Sequence, residues 1–181
     1  IDAFPGSHPV AAGPLVYNGS KAAMELISKA DVVLALGTRL NPFSTLPGYG
    51  IDYWPNDAKL IQVDINADRI GLTKNVDVAI QGDARKVAEQ ILEQLSSSAG
   101  DQSRDARKAE IEKCKSAWTH ELSQMDHEDD DPGTTWNQRS RDSQPERMSP
   151  RQAWKAIMAA MPQDAIVSSD IGNNCAIGNA Y

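Results

Sequence analysis

The sequence predicts a mainly parallel α/β sheet domain, followed by an exposed connection and the opening helix and strand of a second α/β unit. Three observations carry this. Short apolar runs of strand length alternate with amphipathic helical segments, the pattern of β-α-β units. The strand-like runs lead at their carboxyl ends into Gly37-Thr38-Arg39, Asp64-Ile65 and Gly82-Asp83, residues suited to turns and caps. An acidic stretch with Pro132-Gly133 then separates these units from a further helix and strand. The boundaries so drawn are 1–97 for the sheet domain, 98–148 for a helical and acidic linker, and 149–181 for the start of the second unit.

Each element has its own justification. Phe4 to Pro14 is rich in Pro and Gly and predicts a loop. Ser20 is placed to cap a helix over Lys21–Lys29 whose face of Ala22, Ala23, Leu26 and Ile27 packs on the sheet. The continuous apolar run Asp31–Leu36 predicts a parallel strand buried on both faces. Between Asn41 and Asp57 lie three prolines, two glycines and the aromatics Phe43, Tyr49, Tyr53 and Trp54. So many rings in one long loop require a covering surface, and a partner is the expectation. Lys59–Asp64 and Val76–Ile80 predict two more strands, with a short helical turn over Ala67–Gly71 between them. Gly82-Asp83 opens a helix over Ala84–Leu95 with Val87, Ile91 and Leu95 on its buried side. After a Ser/Gly-rich break, a helix over Arg104–Met125 carries Ile111, Cys114, Trp118, Leu122 and Met125 as one stripe. Asp126 to Ser149 reads as the exposed connection. Ser149-Pro150 then opens a helix to Met161 with Trp154, Ile157, Met158 and Met161 inward, before a strand over Ala165–Asp170 and a loop at Ile171–Asn174.

Composition excludes several classes. The 181 residues carry 18 Lys+Arg against 25 Asp+Glu, a net charge of −7. No basic stripe is present for a nucleic-acid backbone, so nucleic acid is not an expected partner. No apolar run approaches the ~20 residues of a membrane-spanning helix, so a membrane partner is not expected either. Cys114 and Cys175 are far apart and form no CxxC, which excludes a disulfide framework and fits a reducing cytoplasm. The chain opens at Ile1 without Met and stops at Tyr181 soon after a strand, and the expectation is a fragment.

The candidate motifs divide unevenly. Tyr17 and Lys21 match Tyr-x-x-x-Lys, but Tyr17 precedes the helix and no G-x-G-x-x-G exists, so a dehydrogenase pair is not expected. Asn18-Gly19-Ser20 is a glycosylation sequon, idle in a cytoplasmic protein. The acidic run Asp126–Asp131 lacks the turn glycine and terminal Glu of a calcium loop and reads as solvated linker. His8 and His120 have no second ligand at metal spacing, and Cys175 has no nearby His to activate it. The set Gly37, Thr38, Arg39, Asp64, Ile65 and Asp83 is different, because α/β sheets bind ligands at their carboxyl edge. There glycine permits close backbone approach, a carboxylate bridges ribose hydroxyls and arginine clamps a phosphate. The competing reading makes Asp64 and Asp83 helix caps, with Arg39 paired to one of them. Gly172, Asn173 and Asn174 suit a phosphate-contacting turn or a plain Asx turn equally.

Taken in order, Ala30–Leu40, Leu60–Asn66, Gly82-Asp83-Ala84 and Asp170-Ile171-Gly172 resemble the middle domain and start of the C-terminal domain of thiamine-diphosphate-dependent enzymes of the acetolactate synthase and pyruvate oxidase superfamily. Gly13–Leu26, Asn41-Pro42-Phe43 and Tyr49–Pro55 are similar to the branch whose members transfer an acetyl unit from sulfoacetaldehyde to phosphate, releasing sulfite. The resemblance implies a Rossmann-like middle domain and a thiamine-diphosphate-binding second domain, with thiamine diphosphate and Mg2+ as cofactors. It implies that Gly172, Asn173 and Asn174 match the loop touching the cofactor diphosphate, where relatives often carry Gln-His for Asn-Asn. Positions matching Gly37, Thr38, Arg39, Asp64, Ile65 and Asp83 hold FAD, ADP or nothing in related enzymes. Val16 stands where many relatives have glycine, so a vestigial or structural nucleotide site is expected. The activating glutamate and most metal ligands of the family lie outside this sequence, and no catalytic or metal-ligating residue is assigned within it. A homodimer or homotetramer is implied, with the Phe43–Trp54 loop facing the partner. Two other classes remain open. Leu36–Leu40 also resembles the nucleotide loop of sirtuin-like modules, and a purely structural α/β domain would have no ligand at all.

Overall fold

The computed structural model describes residues 4–15, 19–96, 103–128, 148, 150–162, 164–168 and 172–178. Three parallel strands, β1 (Val32–Leu36), β2 (Lys59–Asp64) and β3 (Val78–Gln81), form one sheet in the order β1-β2-β3. Val32 stands opposite Lys59 and Leu36 opposite Val63; Ile61 stands opposite Val78 and Asp64 opposite Gln81. Strands consecutive in sequence lie side by side, as short connections favour.

Five helices accompany the sheet among the described residues: α1 (Lys21–Ile27), α2 (Ala84–Ser96), α3 (Ser103–Glu128), α4 (Pro150–Ala160) and α5 (Asn173–Gly178). Ser20 caps α1 as expected, its Oγ accepting from the Ala23 N–H at 3.3 Å. Short 3-10 turns occupy Pro42–Thr45 and Ala67–Arg69, each begun by an asparagine side chain that accepts a backbone N–H two residues on. The second of these is the helical turn expected over Ala67–Gly71.

Strand side chains alternate between faces. Val33, Ala35, Leu60 and Gln62 share one face, which the loops cover: Ala35, Leu40 and Leu60 form a buried cluster against Val33, Trp54 and Val76. The other face carries Val63 and Ile80, and Ile80 lines a groove with Val87 and Ile91 of α2. That helix reaches only the β2–β3 half, so Val32, Leu34 and Leu36 are exposed. The expectation that β1 is buried on both faces is therefore corrected: β1 is an edge strand among the described residues and one face lacks a covering helix. Leu95, expected on the buried side of α2, is also exposed, at the rim of the groove that Ile80, Val87 and Ile91 line.

Helix α1 does not pack on the sheet as expected. Its main partner is α3, where Ala22 joins Cys114, Trp118 and Leu122 in a second buried cluster, with Leu26 and Met125 against it. One apolar face fits another helix as well as a sheet, and the stripe of α3 offered the longer complement. Two ion pairs flank the contact, Lys21–Glu121 at 2.7 Å and Lys29–Glu110 at 2.8 Å. The Glu110 partnership holds the Lys29 ammonium above its usual value and the Glu110 carboxyl below its own.

Toward the C-terminus three expectations change. Helix α3 continues to Glu128, into the stretch assigned to the linker; residues 129–147 and Ser149 lie outside the described residues. Trp154 of α4 and Met161 just after it are half-buried whereas Ile157 and Met158 of α4 are exposed, since α4 packs mainly on the short α5. Ala165 to Ser168 is not a strand, and Ile166 is 99% exposed. A strand requires a paired neighbour, and no described strand lies beside this segment. Asp170 lies outside the described residues.

Candidate functional site

The carboxyl edge of the sheet gathers most of the candidate residues. Gly37 follows β1 at φ +63°, a conformation that favours glycine, and its N–H donates to the Val63 carbonyl at 2.8 Å. A Cβ there would meet the Ala84 Cβ at 3.5 Å, so the turn lies directly against the start of α2. The Gly82 N–H donates to the Asp64 carbonyl at 3.0 Å. These bonds draw Gly37, Asp64 and the Gly82-Asp83 turn onto one edge, as the sequence predicts.

What the side chains do there is more divided. Asp83 takes the capping role: its Oδ1 accepts from the Lys86 N–H at 3.0 Å and its carbonyl from the Val87 N–H at 3.0 Å. The Thr38 Oγ1 accepts from the Leu40 N–H at 3.2 Å. Leu40 itself sits at φ +50°, an unusual conformation for a branched residue, and is fixed by burial and by a Thr73 hydroxyl donating to its carbonyl at 2.7 Å. Asp64 is only 4% exposed. Its Oδ1 accepts from the Asn66 N–H at 2.9 Å, and among the described residues its other oxygen has no protein partner. Arg39 is exposed, and no ion pair joins it to Asp64 or Asp83 among the described residues. Ile65 is 71% exposed. At this edge a buried carboxylate with an open oxygen, a glycine turn and an exposed arginine in the loop after β1 are groups chemically able to receive a hydroxylated, phosphate-bearing group.

Sequence reasoning missed the residue that holds this edge in shape. Gln62 is 1% exposed and uses both ends of its amide. Its Nε2 donates to the Thr38 carbonyl at 2.9 Å and the Arg69 carbonyl at 3.3 Å, while its Oε1 accepts from the Gly71 N–H at 2.9 Å. The amide thereby ties the loop after β1 to the loop after β2. A signal existed: a glutamine inside the apolar run Leu60-Ile61-Gln62-Val63 must find partners when buried. Asp77 was missed in the same way. It accepts from the Leu60 N–H at 2.9 Å and from Lys59 at 2.8 Å, clamping the starts of β2 and β3.

The aromatic loop is covered mostly by the chain itself. Tyr53 is buried, its hydroxyl donating to the Leu15 carbonyl at 2.7 Å, and Tyr49 stacks edge-on against Trp118 at 5.1 Å while donating to the Gly19 carbonyl. Burial pushes both phenols up. The Lys74 ammonium lies over the Trp54 ring. Of the four, Phe43 remains open at 73% exposed, and Tyr49, though in contact with Trp118, is still 39% exposed.

The second candidate set falls elsewhere. Gly172 is a bend at φ +145° with nothing within 4 Å of where a Cβ would be. Asn173 and Asn174, expected in a loop, begin α5 instead, because the turn at Gly172 leads straight into helix. Their side chains, like Val16 and Tyr17, lie outside the described residues. Among the described residues no group of three or more His, Cys, Asp or Glu side chains is placed to hold a metal, and no helix is long and apolar enough to cross a membrane.

Comparison with known proteins adds independent findings. Residues 1–91 match the family described as thiamine pyrophosphate enzyme, central domain. The chain is similar to sulfoacetaldehyde acetyltransferase of Roseovarius nubinhibens, 74% identical over 99% of the chain and 30% of that protein. Probable sulfoacetaldehyde acetyltransferase of Rhizobium meliloti is 73% identical over the same shares. Acetolactate synthase isozyme 3 large subunit of Escherichia coli is 30% identical over 96% of the chain and 27% of that protein. The chain thus spans about 30% of the length of the first two relatives.

Proposed function

Because the chain belongs to the thiamine pyrophosphate enzymes through their central domain, we propose that it is part of an acetyltransferase converting sulfoacetaldehyde and phosphate to acetyl phosphate and sulfite. The observation that carries this reading is the contrast in identity: 74% to a sulfoacetaldehyde acetyltransferase against 30% to an acetolactate synthase, each over nearly the whole chain. Acetolactate synthesis is the nearest alternative, and the same contrast disfavours it.

In this reading residues 1–97 form the middle domain, 98–148 the linker and 149–181 the start of the domain that binds the cofactor. Gly172, Asn173 and Asn174 would meet the cofactor diphosphate. The open space around Gly172 supports this, since a bulky charged group could approach its backbone without a side chain in the way. Thiamine diphosphate, when bound, supplies an electron sink for the acyl unit, and Mg2+ would neutralise the diphosphate through ligands mostly outside these residues. The chain's own part is orientation. Gly37, Thr38, Arg39, Asp64, Ile65 and Asp83 form a middle-domain edge whose Asp83 and Thr38 are already committed to caps and turns, which supports a nucleotide site that is vestigial or structural. A homodimer or homotetramer is the proposed assembly, with exposed Phe43 as a contact. The cytoplasm is the proposed compartment, supported by the cysteine content.

The discriminating experiment offers the full-length enzyme sulfoacetaldehyde and pyruvate separately, with thiamine diphosphate, Mg2+ and phosphate. Turnover of the sulfonated aldehyde and not of pyruvate is expected. Acetolactate formation from pyruvate, with no sulfite from the aldehyde, would replace this reading by the synthase one.

A further inference from the structure

A cavity of about 390 Å3 opens on the loop-covered side of the sheet, over Val33 and Leu60 and away from the carboxyl edge. Its volume lies within the roughly 300–1,000 Å3 usual for small-molecule sites. The lining is polar and its charge is one-sided. In a chain of net charge −7, no Asp or Glu lines this cavity among the described residues, and Lys74 is the one formal charge there.

Several donors around it lack acceptors among the described residues. The Lys74 ammonium rests 4.6 Å from the centre of the Trp54 ring, with no carboxylate partner among the described residues. The backbone N–H groups of Leu72, Thr73, Lys74 and Asn75 have no protein acceptor among the described residues, and Asn56 and Asn75 add side-chain amides. Asp77, just beyond, is committed to Lys59 and the Leu60 N–H. The loop is nonetheless anchored just before its donor run by the Gly71 N–H on Gln62, and within it by the Thr73 hydroxyl on the Leu40 carbonyl. A fixed run of free N–H groups beside a lysine is an anion-binding arrangement.

We propose that this cavity is a binding site for a phosphate-type oxyanion, held by Lys74 and the free N–H groups from Leu72 to Asn75. The oxyanion is either inorganic phosphate or the phosphoryl group of a nucleotide. In the second case the Trp54 face, uncovered as the ammonium swings to the phosphoryl group, stacks the base. The site is independent of the acetyl-transfer reading and of the carboxyl-edge residues.

The test is calorimetric titration of the full-length protein, saturated with thiamine diphosphate and Mg2+, with inorganic phosphate and separately with AMP. The unaltered protein is compared with Lys74→Gln, Lys74→Arg and the exposed-charge control Lys86→Gln. Lys74→Gln is expected to weaken one site at least tenfold, about 1.4 kcal/mol, while Lys74→Arg and Lys86→Gln leave it near its original affinity. Tighter binding of AMP than of phosphate assigns a nucleotide; equal binding assigns the free ion. Trp54 emission is expected to change on addition of the bound probe, and the change to vanish in Trp54→Phe, which decides the matter should Lys74→Gln fail to fold. Superimposable isotherms for Lys74→Gln and the unaltered protein, equal weakening by Lys86→Gln, or an unchanged Trp54 signal would each overturn the proposal.

Discussion

Replacing Gln62 by methionine tests the claim that one buried amide sets the shape of the sheet's carboxyl edge. Methionine is unbranched and of similar length, so packing is nearly preserved and the polar contacts alone are removed. Three groups then lose their partner: the Thr38 carbonyl and the Gly71 N–H, each bonded at 2.9 Å, and the Arg69 carbonyl at 3.3 Å. Orphaned buried groups cost about 1–3 kcal/mol each, but these three belong to exposed loop residues that water partly reaches, so the expected total is about 2–3 kcal/mol. Urea unfolding followed by fluorescence should show that loss, with Tm lower by roughly 4–12 °C at about 2–4 °C per kcal/mol. Gln62→Glu should be at least as damaging at neutral pH, because a carboxylate would face two carbonyl oxygens. A loss under about 0.5 kcal/mol for Gln62→Met, the ordinary spread of a surface change, would refute the reasoning.

Three further outcomes follow from the same structure. Ser20→Ala removes the cap on Ala23 and should cost about 1 kcal/mol in urea unfolding, with Ser20→Gly milder. Gly37→Ala meets only ordinary contact at Ala84, so its expected cost of about 1–2 kcal/mol comes from the left-handed backbone; Ala at Gly6, where φ is unexceptional and space is open, should be tolerated in the same assay. Asp77 has its carboxyl pulled below the usual range by the Lys59 hydrogen bond and then by the Leu60 N–H. Its contribution is therefore full above the ordinary carboxylate pKa and lost as pH falls through the lowered value. Urea midpoints from pH 7 downward should show Asp77→Asn less sensitive than the unaltered protein to acid below about pH 4; parallel acid sensitivity would assign the clamp no role.

Much of this architecture is written locally in the sequence. The cap at Ser20, the strand Lys59–Asp64 and the α3 stripe through Cys114, Trp118 and Leu122 each follow from short-range chemistry or helical period, and all appear in place. What depends on distant partners was not legible. The face of α1 announces burial without saying that α3, about ninety residues on, supplies it. Ala165–Ser168 has strand composition, but pairing decides strands, and its apolar side chains stand open. The candidate edge was legible as a set of positions, because strand ends converge by topology. Its internal wiring through Gln62, and the capping role of Asp83, depended on which carbonyls and N–H groups the loops bring within reach.

The central claim is the reaction, and its most direct measurement is the stoichiometry of products from the full-length enzyme. With thiamine diphosphate and Mg2+ present, one sulfite and one acetyl phosphate should form per sulfoacetaldehyde consumed, and acetyl phosphate should disappear when phosphate is withheld. Consumption of the aldehyde without sulfite, or no consumption at all by the cofactor-loaded enzyme, would contradict the account.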